Sequence, residues 1–333
     1  MATKRKSRRL AGAQAQAPPK AKKRKAVGKR IRTVEQELHT FIRFAKKKQQ
    51  DYGKLYEHLE ELSNLVGMEE AKRAVLRQLK YLVVNNRDTD GHFLNTVICG
   101  RPGTGKTTLA RILFKIWKST HALGPRGRDK QFTVARRNNF VAKYLGQTAD
   151  KTRKFLAKSQ GVIFIDEAYS LVYSDTDEYG RIALDVLNEW MSSNPETIVI
   201  IAGYEDQLEK QFFGSNPGLK RRFSWKFSVH DYDKGDLAKI FMRQIVHFGW
   251  KTKASTKDIQ GLFENSGLTF KDNGGSTFNL LFHCKMAFAE RLFPKKNAIK
   301  CLAVNDIAQG LQTFKNGHIN RDEDTSARDS MFT

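Results

Sequence analysis

The chain has 333 residues, enough for one large domain or two smaller ones, and 59 Lys+Arg against 35 Asp+Glu give a formal net charge of +24 at pH 7. No run approaches the ~18–20 consecutive apolar residues that cross a bilayer, which excludes a membrane-spanning helix. The three cysteines, Cys99, Cys284 and Cys301, are odd in number and widely spaced, and no C-x-x-C or H-x-x-x-H pair occurs, which excludes a disulfide framework and a zinc site and points to a reducing, intracellular compartment.

The charge is uneven. Residues 1–50 hold 17 Lys+Arg against only Glu35 and Glu37, a net of +15, and the other 283 residues carry the remaining +9. Within Met1 to Thr33 two basic clusters, residues 4–9 and 20–25, flank the small and polar stretch AGAQAQAPP. With almost nothing to bury, this tail is expected to be disordered. No apolar core follows its positive start, so it is not a secretory signal. It reads as a nuclear-targeting or nucleic-acid-contacting segment through residues 4–32, as a non-specific electrostatic tether, or as a solvated tail. Nucleus and cytoplasm both remain open.

Val34 to Leu62 reads as helical, with Leu38, Phe41, Ile42, Phe44 and Ala45 crowding one side, and is expected to pack on the domain C-terminal to it. Met68 to Val84 is an amphipathic helix carrying Ala71, Val75, Leu79 and Leu82 on one face. The apolar run Phe93 to Cys99 is a buried strand, and Thr108 to Trp117 is helical. Between them stands Gly100-Arg101-Pro102-Gly103-Thr104-Gly105-Lys106-Thr107, a match to G-x-x-x-x-G-K-[ST] in its required strand–loop–helix setting. Such a loop answers the negative charge of a triphosphate with backbone N–H groups, a helix N-terminus and one lysine. Gly100, Pro102, Gly103, Thr104, Gly105 and Thr108 are expected to form the cradle. Lys106 is expected to reach the β- and γ-phosphates of ATP and the Thr107 hydroxyl to ligate Mg²⁺.

Gln131 to Ala135 is a second strand, and Gly161 to Ile165 a third, ending in Asp166 and Glu167. Acids at the carboxyl end of a buried strand stand where ligands bind in open α/β sheets. Asp166 is assigned to Mg²⁺, and Glu167 to polarising the attacking water. Thr197 to Gly203 and Phe223 to Val229 complete five strands with helices between, which implies a parallel sheet covered on both faces. From Asp231 the chain turns helical, with Leu237, Ile240, Phe241, Ile245 and Val246 as the first stripe. Further helices are expected at Asp258 to Gly267, Thr277 to Leu292 and Val304 to Phe314, and in the polar tail (317–333) Asn320 to Thr333 is expected to fray.

Taken in order, LVGMEEAK at residues 65–72, the phosphate loop, FVAKYLGQT at 140–148, IDEAY at 165–169, IVIIAGY at 198–204 and SNPGLKRRF at 215–223 resemble the AAA+ ATPases. They are most similar to the branch containing the red-type rubisco activase and stage V sporulation protein K. The resemblance runs from about Leu62 to Phe314. It implies a P-loop NTPase α/β domain over residues 63–230 and a small all-α lid over 231–316, after a basic tail (1–33) and a helical segment (34–62). Val66 and Gly67 are then on the adenine side. It also implies a homo-oligomeric ring, usually a hexamer, in which an arginine from one subunit reaches ATP bound by the next. Arg222 is the first choice for that finger and Arg221 the second. Lys143, Tyr144 and Leu145 match the central pore loop that grips substrate in threading members. Two departures stand out. Ala202-Gly203-Tyr204 ends a strand where many relatives have a polar sensor, and Asp272 to Leu280 holds no arginine where the lid usually supplies one. The leading expectation is an ATP-driven ring motor that remodels a macromolecule, with protein as substrate. The alternatives are a nucleic-acid-associated ATPase that uses the tail and a nucleotide-switched scaffold with little turnover.

Overall fold

A computed structural model describes residues 33–85, 94–123, 130–144, 146–174, 176–295 and 299–331, with side chains as far as residue 317. The basic tail (1–32) and Leu145 lie outside the described residues. Among the described residues no helix is long and apolar enough to cross a membrane.

Five strands form the central sheet: β1 (Thr96–Cys99), β2 (Gln131–Ala135), β3 (Gly161–Ile165), β4 (Ile198–Gly203) and β5 (Trp225–Ser228). Their order is β2-β3-β4-β1-β5 and every pairing is parallel. Strand alternation sends neighbouring residues to opposite faces. Ile98, Val162, Phe164, Ile198 and Ile200 enter one core, while Val97, Ile163, Ile165, Val199 and Ile201 enter the other. Helices on both sides bury both faces, which is why the inner strands read as unbroken apolar runs rather than alternating ones.

The first face is covered by α1 (Val34–Lys47), α2 (Leu55–Asn64), α3 (Glu69–Val84) and α4 (Lys106–Ser119). The helical stretch expected from Val34 to Leu62 is broken. A short turn of helix at Gln49–Tyr52 ends at Gly53, whose φ of 53° turns the chain back so that α2 runs beside α1. Ion pairs Lys80–Glu37 and Lys115–Glu61, both 2.6 Å, tie this pair to the rest. On the second face lie α5 (Thr148–Lys158) and α6 (Glu178–Ser193).

The C-terminal region has a core of its own, rich in phenylalanine as its composition implied. It comprises α7 (Lys234–His247), α8 (Thr256–Asn265), α9 (Gly274–Leu292) and α10 (Val304–Met331). Phe241, Phe263 and Phe270 meet with ring centroids 5.8 and 4.8 Å apart. The α7 stripe stops at Ile245, since Val246 is 68% exposed. The backbone of α10 runs on as helix to Met331, beyond the end expected at Phe314. A two-residue parallel ladder, β6 (Lys251–Thr252) with β7 (Cys301–Leu302), adds an element too short for periodicity to register.

β1 is shorter than its apolar run. Asn95 ends it, and its buried side chain bridges three segments: Oδ1 accepts from Val199 N at 2.7 Å and Nδ2 donates to Arg222 O at 3.2 Å. Truncation leaves a buried N–H without a partner. Asn95→Ala is expected to lower the unfolding free energy by about 1–3 kcal/mol, read as a lower urea midpoint at unchanged slope.

Candidate functional site

The carboxyl ends of β1 and β3 carry the chain into one cavity of about 810 Å³, within the roughly 300–1,000 Å³ typical of small-molecule sites. Pro102, Gly103, Gly105, Lys106, Thr107 and Thr108 form one wall, Asp166 and Glu167 a second, and Leu65, Val66 and Met68 a third. Residues from separated stretches of sequence therefore converge as expected. Gly100 and Thr104 serve from behind. The Gly100 carbonyl accepts from Lys106 Nζ, and the buried Thr104 hydroxyl donates to Arg101 O at 2.8 Å. Gly67 does not line the cavity; a Cβ there would stand 3.1 Å from Tyr232 and Asp236.

The loop is left-handed at Gly103 (φ 69°) and Gly105 (φ 91°), which aims the first turn of α4 into the cavity. Its unpaired N–H groups make that end a natural anion site. Lys106 is 6% exposed. Its ammonium donates to Gly100 O at 2.9 Å and Arg101 O at 3.1 Å, and Glu167 Oε1 is 3.9 Å away. Glu167 itself has φ 50° and ψ 50°, an uncommon conformation for a side chain larger than glycine. Its Oε2 is buried and without a hydrogen-bond partner among the described residues. A buried carboxylate oxygen of this kind wants a donor, and a water polarised for attack is one. Burial, and then the Glu167 carboxylate, push the Tyr169 phenol well above the ordinary tyrosine range.

Among the described residues no cluster of three His, Cys, Asp or Glu side chains could hold a metal alone. The donor set instead fits Mg²⁺ bound with a nucleotide: Thr107 and Asp166 would supply few oxygens, leaving the others to phosphates and water.

The fourth wall was not legible in the sequence. Tyr232, Ile240, Arg243, Gln244, His247, Gly274 and Gly275 come from the C-terminal region. That region grips the phosphate loop. The Tyr232 hydroxyl donates to Thr104 O at 2.7 Å, Asn273 Nδ2 to Pro102 O at 3.3 Å, and Gly274 N to Gly103 O at 3.1 Å. Gln244 Nε2 donates to Gly274 O at 2.8 Å, and Arg101 pairs with Asp231 at 3.1 Å. The approach is so close that a Cβ on Gly103 would sit 1.9 Å from Asp272 O. The DNGG string at 272–275, noted for its missing arginine, was the one available signal: two glycines let backbone meet backbone.

Other expected residues lie apart. Arg222 follows the Pro217–Lys220 helical turn, beside Asn95 at the amino end of β1, opposite the phosphate loop. Its guanidinium donates to Ser192 Oγ and, at 2.8 Å, to Gly218 O. Arg221 is exposed. Lys143 and Tyr144 are exposed on their own loop, Tyr144 to 69%.

Comparison with known proteins gives a consistent picture. Residues 96–216 match the family model "ATPase family associated with various cellular activities (AAA)". The chain is 32% identical over 281 residues to Protein CbbX of Cereibacter sphaeroides, covering 78% of this chain and 88% of that one. It is 36% identical over 207 residues to stage V sporulation protein K of Bacillus subtilis, covering 60% of this chain and 63% of the relative, so it spans less than two thirds of that protein's length. The crystal structure of the FIGL-1 AAA domain in complex with ADP superposes with a TM-score of 0.55 at 19% identity, over 75% of this chain and 83% of that one, a likeness of fold.

Burial pushes the Tyr232 phenol up to about 12, so it stays a donor at any working pH. Tyr232→Phe keeps the ring in the wall and removes one loop contact. The expected cost is about 1 kcal/mol of stability, read by denaturant titration, with the fold's circular dichroism unchanged.

Proposed function

This chain belongs to the AAA family of ATPases, in the branch that contains the red-type rubisco activase and stage V sporulation protein K, and from that premise we propose that it is an ATP-hydrolysing motor that remodels a macromolecule, with protein as its substrate. One observation carries the reading: the phosphate loop, the Asp166–Glu167 pair and the Leu65–Met68 wall share a single cavity.

In this reading ATP lies with its base against Val66 and its phosphates on the α4 N-terminus. Lys106 exchanges carbonyl partners for phosphate oxygens, a charge-assisted gain. Thr107 and Asp166 would hold Mg²⁺, which would neutralise charge on the phosphates. Glu167 orients and polarises the attacking water.

Members of the family generally form oligomeric rings. An arginine supplied by a neighbouring copy would stabilise charge developing at the transferred phosphoryl group. The position of Arg222, at the far end of β1 from its own phosphate loop, supports a role toward another subunit, with exposed Arg221 second. Exposure of Lys143 and Tyr144 supports their assignment, with Leu145, to a substrate-contacting pore loop. Residues 231–316 would act as the lid.

Glu167→Gln is expected to lower ATP turnover by about 10²–10⁴-fold while fluorescent-nucleotide binding persists. Lys106→Ala is expected to abolish both, and turnover intact in both variants would refute the site.

A second reading, a nucleic-acid-associated ATPase, rests on the basic residues at 4–32. ATP turnover of the full chain is to be titrated with duplex DNA at near-physiological salt, with and without residues 1–32. Indifference to DNA is expected for the protein remodeller. A salt-sensitive rise in rate that vanishes with the tail would put the second reading first.

A further inference from the structure

Lys72 is a lysine that a surface-helix pattern assigns to solvent, yet it is 3% exposed. Desolvating an ammonium is costly unless it is well paired. Its nearest carboxylate, Glu69 Oε1, stands at 3.6 Å and is 56% exposed. The close partners are backbone. Lys72 Nζ donates to Leu65 O at 2.8 Å and lies 3.4 Å from Ser63 O. Those carbonyls belong to the end of α2, where the helix leaves acceptors unpaired and the macrodipole is negative. The ammonium thus caps α2 from below.

The segment it holds is also met by α7: the Arg243 guanidinium donates to Asn64 O, and Gly67 packs against Tyr232 and Asp236. Only Leu65 to Met68 separate α2 from α3, and two of these four are left-handed: Gly67 at φ 59° and Met68 at φ 56°. Met68 in that region is strained. Leu65, Val66 and Met68 line the nucleotide cavity, with α7 beside this turn through Asp236 and Arg243. The phosphate loop has hydrogen bonds of its own, from Tyr232, Asn273 and Gly274, and it meets the turn where Met68 Cε packs against Gly105.

We propose that Lys72 is a positioning residue for nucleotide recognition: its buried ammonium pins the strained Leu65–Met68 turn so that this wall meets the base. The inference rests on the base lying against Val66, as argued above. It separates two parts of the ligand. Loss of Lys72 loosens the grip on the base and leaves the grip on the phosphates.

The test uses the full chain, with ATP turnover and competitive inhibition by inorganic tripolyphosphate, which has the phosphates and no base. Lys72→Met is expected to raise KM for ATP about tenfold, the size of one lost charged hydrogen bond, with kcat at saturation and the tripolyphosphate inhibition constant unchanged. Lys72→Arg, which keeps charge and donors, is expected to move KM the same way by a smaller factor, and it carries the test should Lys72→Met fail to fold. A KM within twofold of the parent in both variants overturns the proposal. So does tripolyphosphate inhibition weakening in step with ATP, which would make Lys72 a general support of the fold. Lys106→Ala separates the underlying site reading. If both ATP and tripolyphosphate survive that change, the nucleotide is elsewhere and the role of Lys72 falls with it.

Discussion

The architecture depends on how the phosphate loop is held. On its sheet side, Gly100 N donates to Gly203 O at 3.1 Å and Val229 N to Cys99 O at 2.8 Å, which fixes where the loop leaves β1. On its other side three donors from the C-terminal region reach three successive carbonyls, those of Pro102, Gly103 and Thr104. A loop of glycines has conformational freedom to lose, and these bonds remove it before any ligand arrives. They also make the C-terminal region part of the site. The α7 and α9 residues in the cavity wall stand where they do because Asn273 and Gly274 are bonded to the loop. A displacement of the loop is therefore a displacement of that region.

Lys72 and Lys106, both buried, solve the same electrostatic problem in the same way. Lys72 and Lys106 face backbone carbonyls at 2.8–2.9 Å, while their nearest carboxylates stand at 3.6 and 3.9 Å. Carbonyl dipoles satisfy the N–H donors without cancelling the charge. At Lys72 the result is a cap on a helix end. At Lys106 it leaves a positive centre with no tight counter-ion, at the mouth of a helix N-terminus that adds to it. An anion entering there finds the field already built. Glu167 is the negative group close by, and its buried Oε2 has no hydrogen-bond partner among the described residues.

Much of this could be read from the chain. The five strands announced themselves because burial on both faces leaves apolar runs, and the phosphate loop and the Asp166–Glu167 pair because their chemistry is local in sequence. What could not be read is what depends on distant partners. Tyr232, Gln244 and Gly274 have no local pattern that points to the cavity. Lys72 looks like one polar position among several on an amphipathic helix. Gly53 breaks the first helical stretch through its backbone angle, which apolar spacing does not encode. Gly67, placed with Val66 on the adenine side by the resemblance, turns away because successive residues in a turn face different ways.

The approach of Asp272 to Gly103 bears on what the motif means. In G-x-x-x-x-G-K-[ST], Gly103 occupies a position the pattern leaves free. Here it has no freedom, since even a methyl group would collide with the Asp272 carbonyl. The constraint comes from the Asp272 carbonyl as well as from the loop's own left-handed backbone at Gly103. Residue choice at 103 and the conformation of the DNGG string are therefore sterically coupled. Neither can drift alone, and a domain exchange that joined this loop to another protein's helical region would have to carry both.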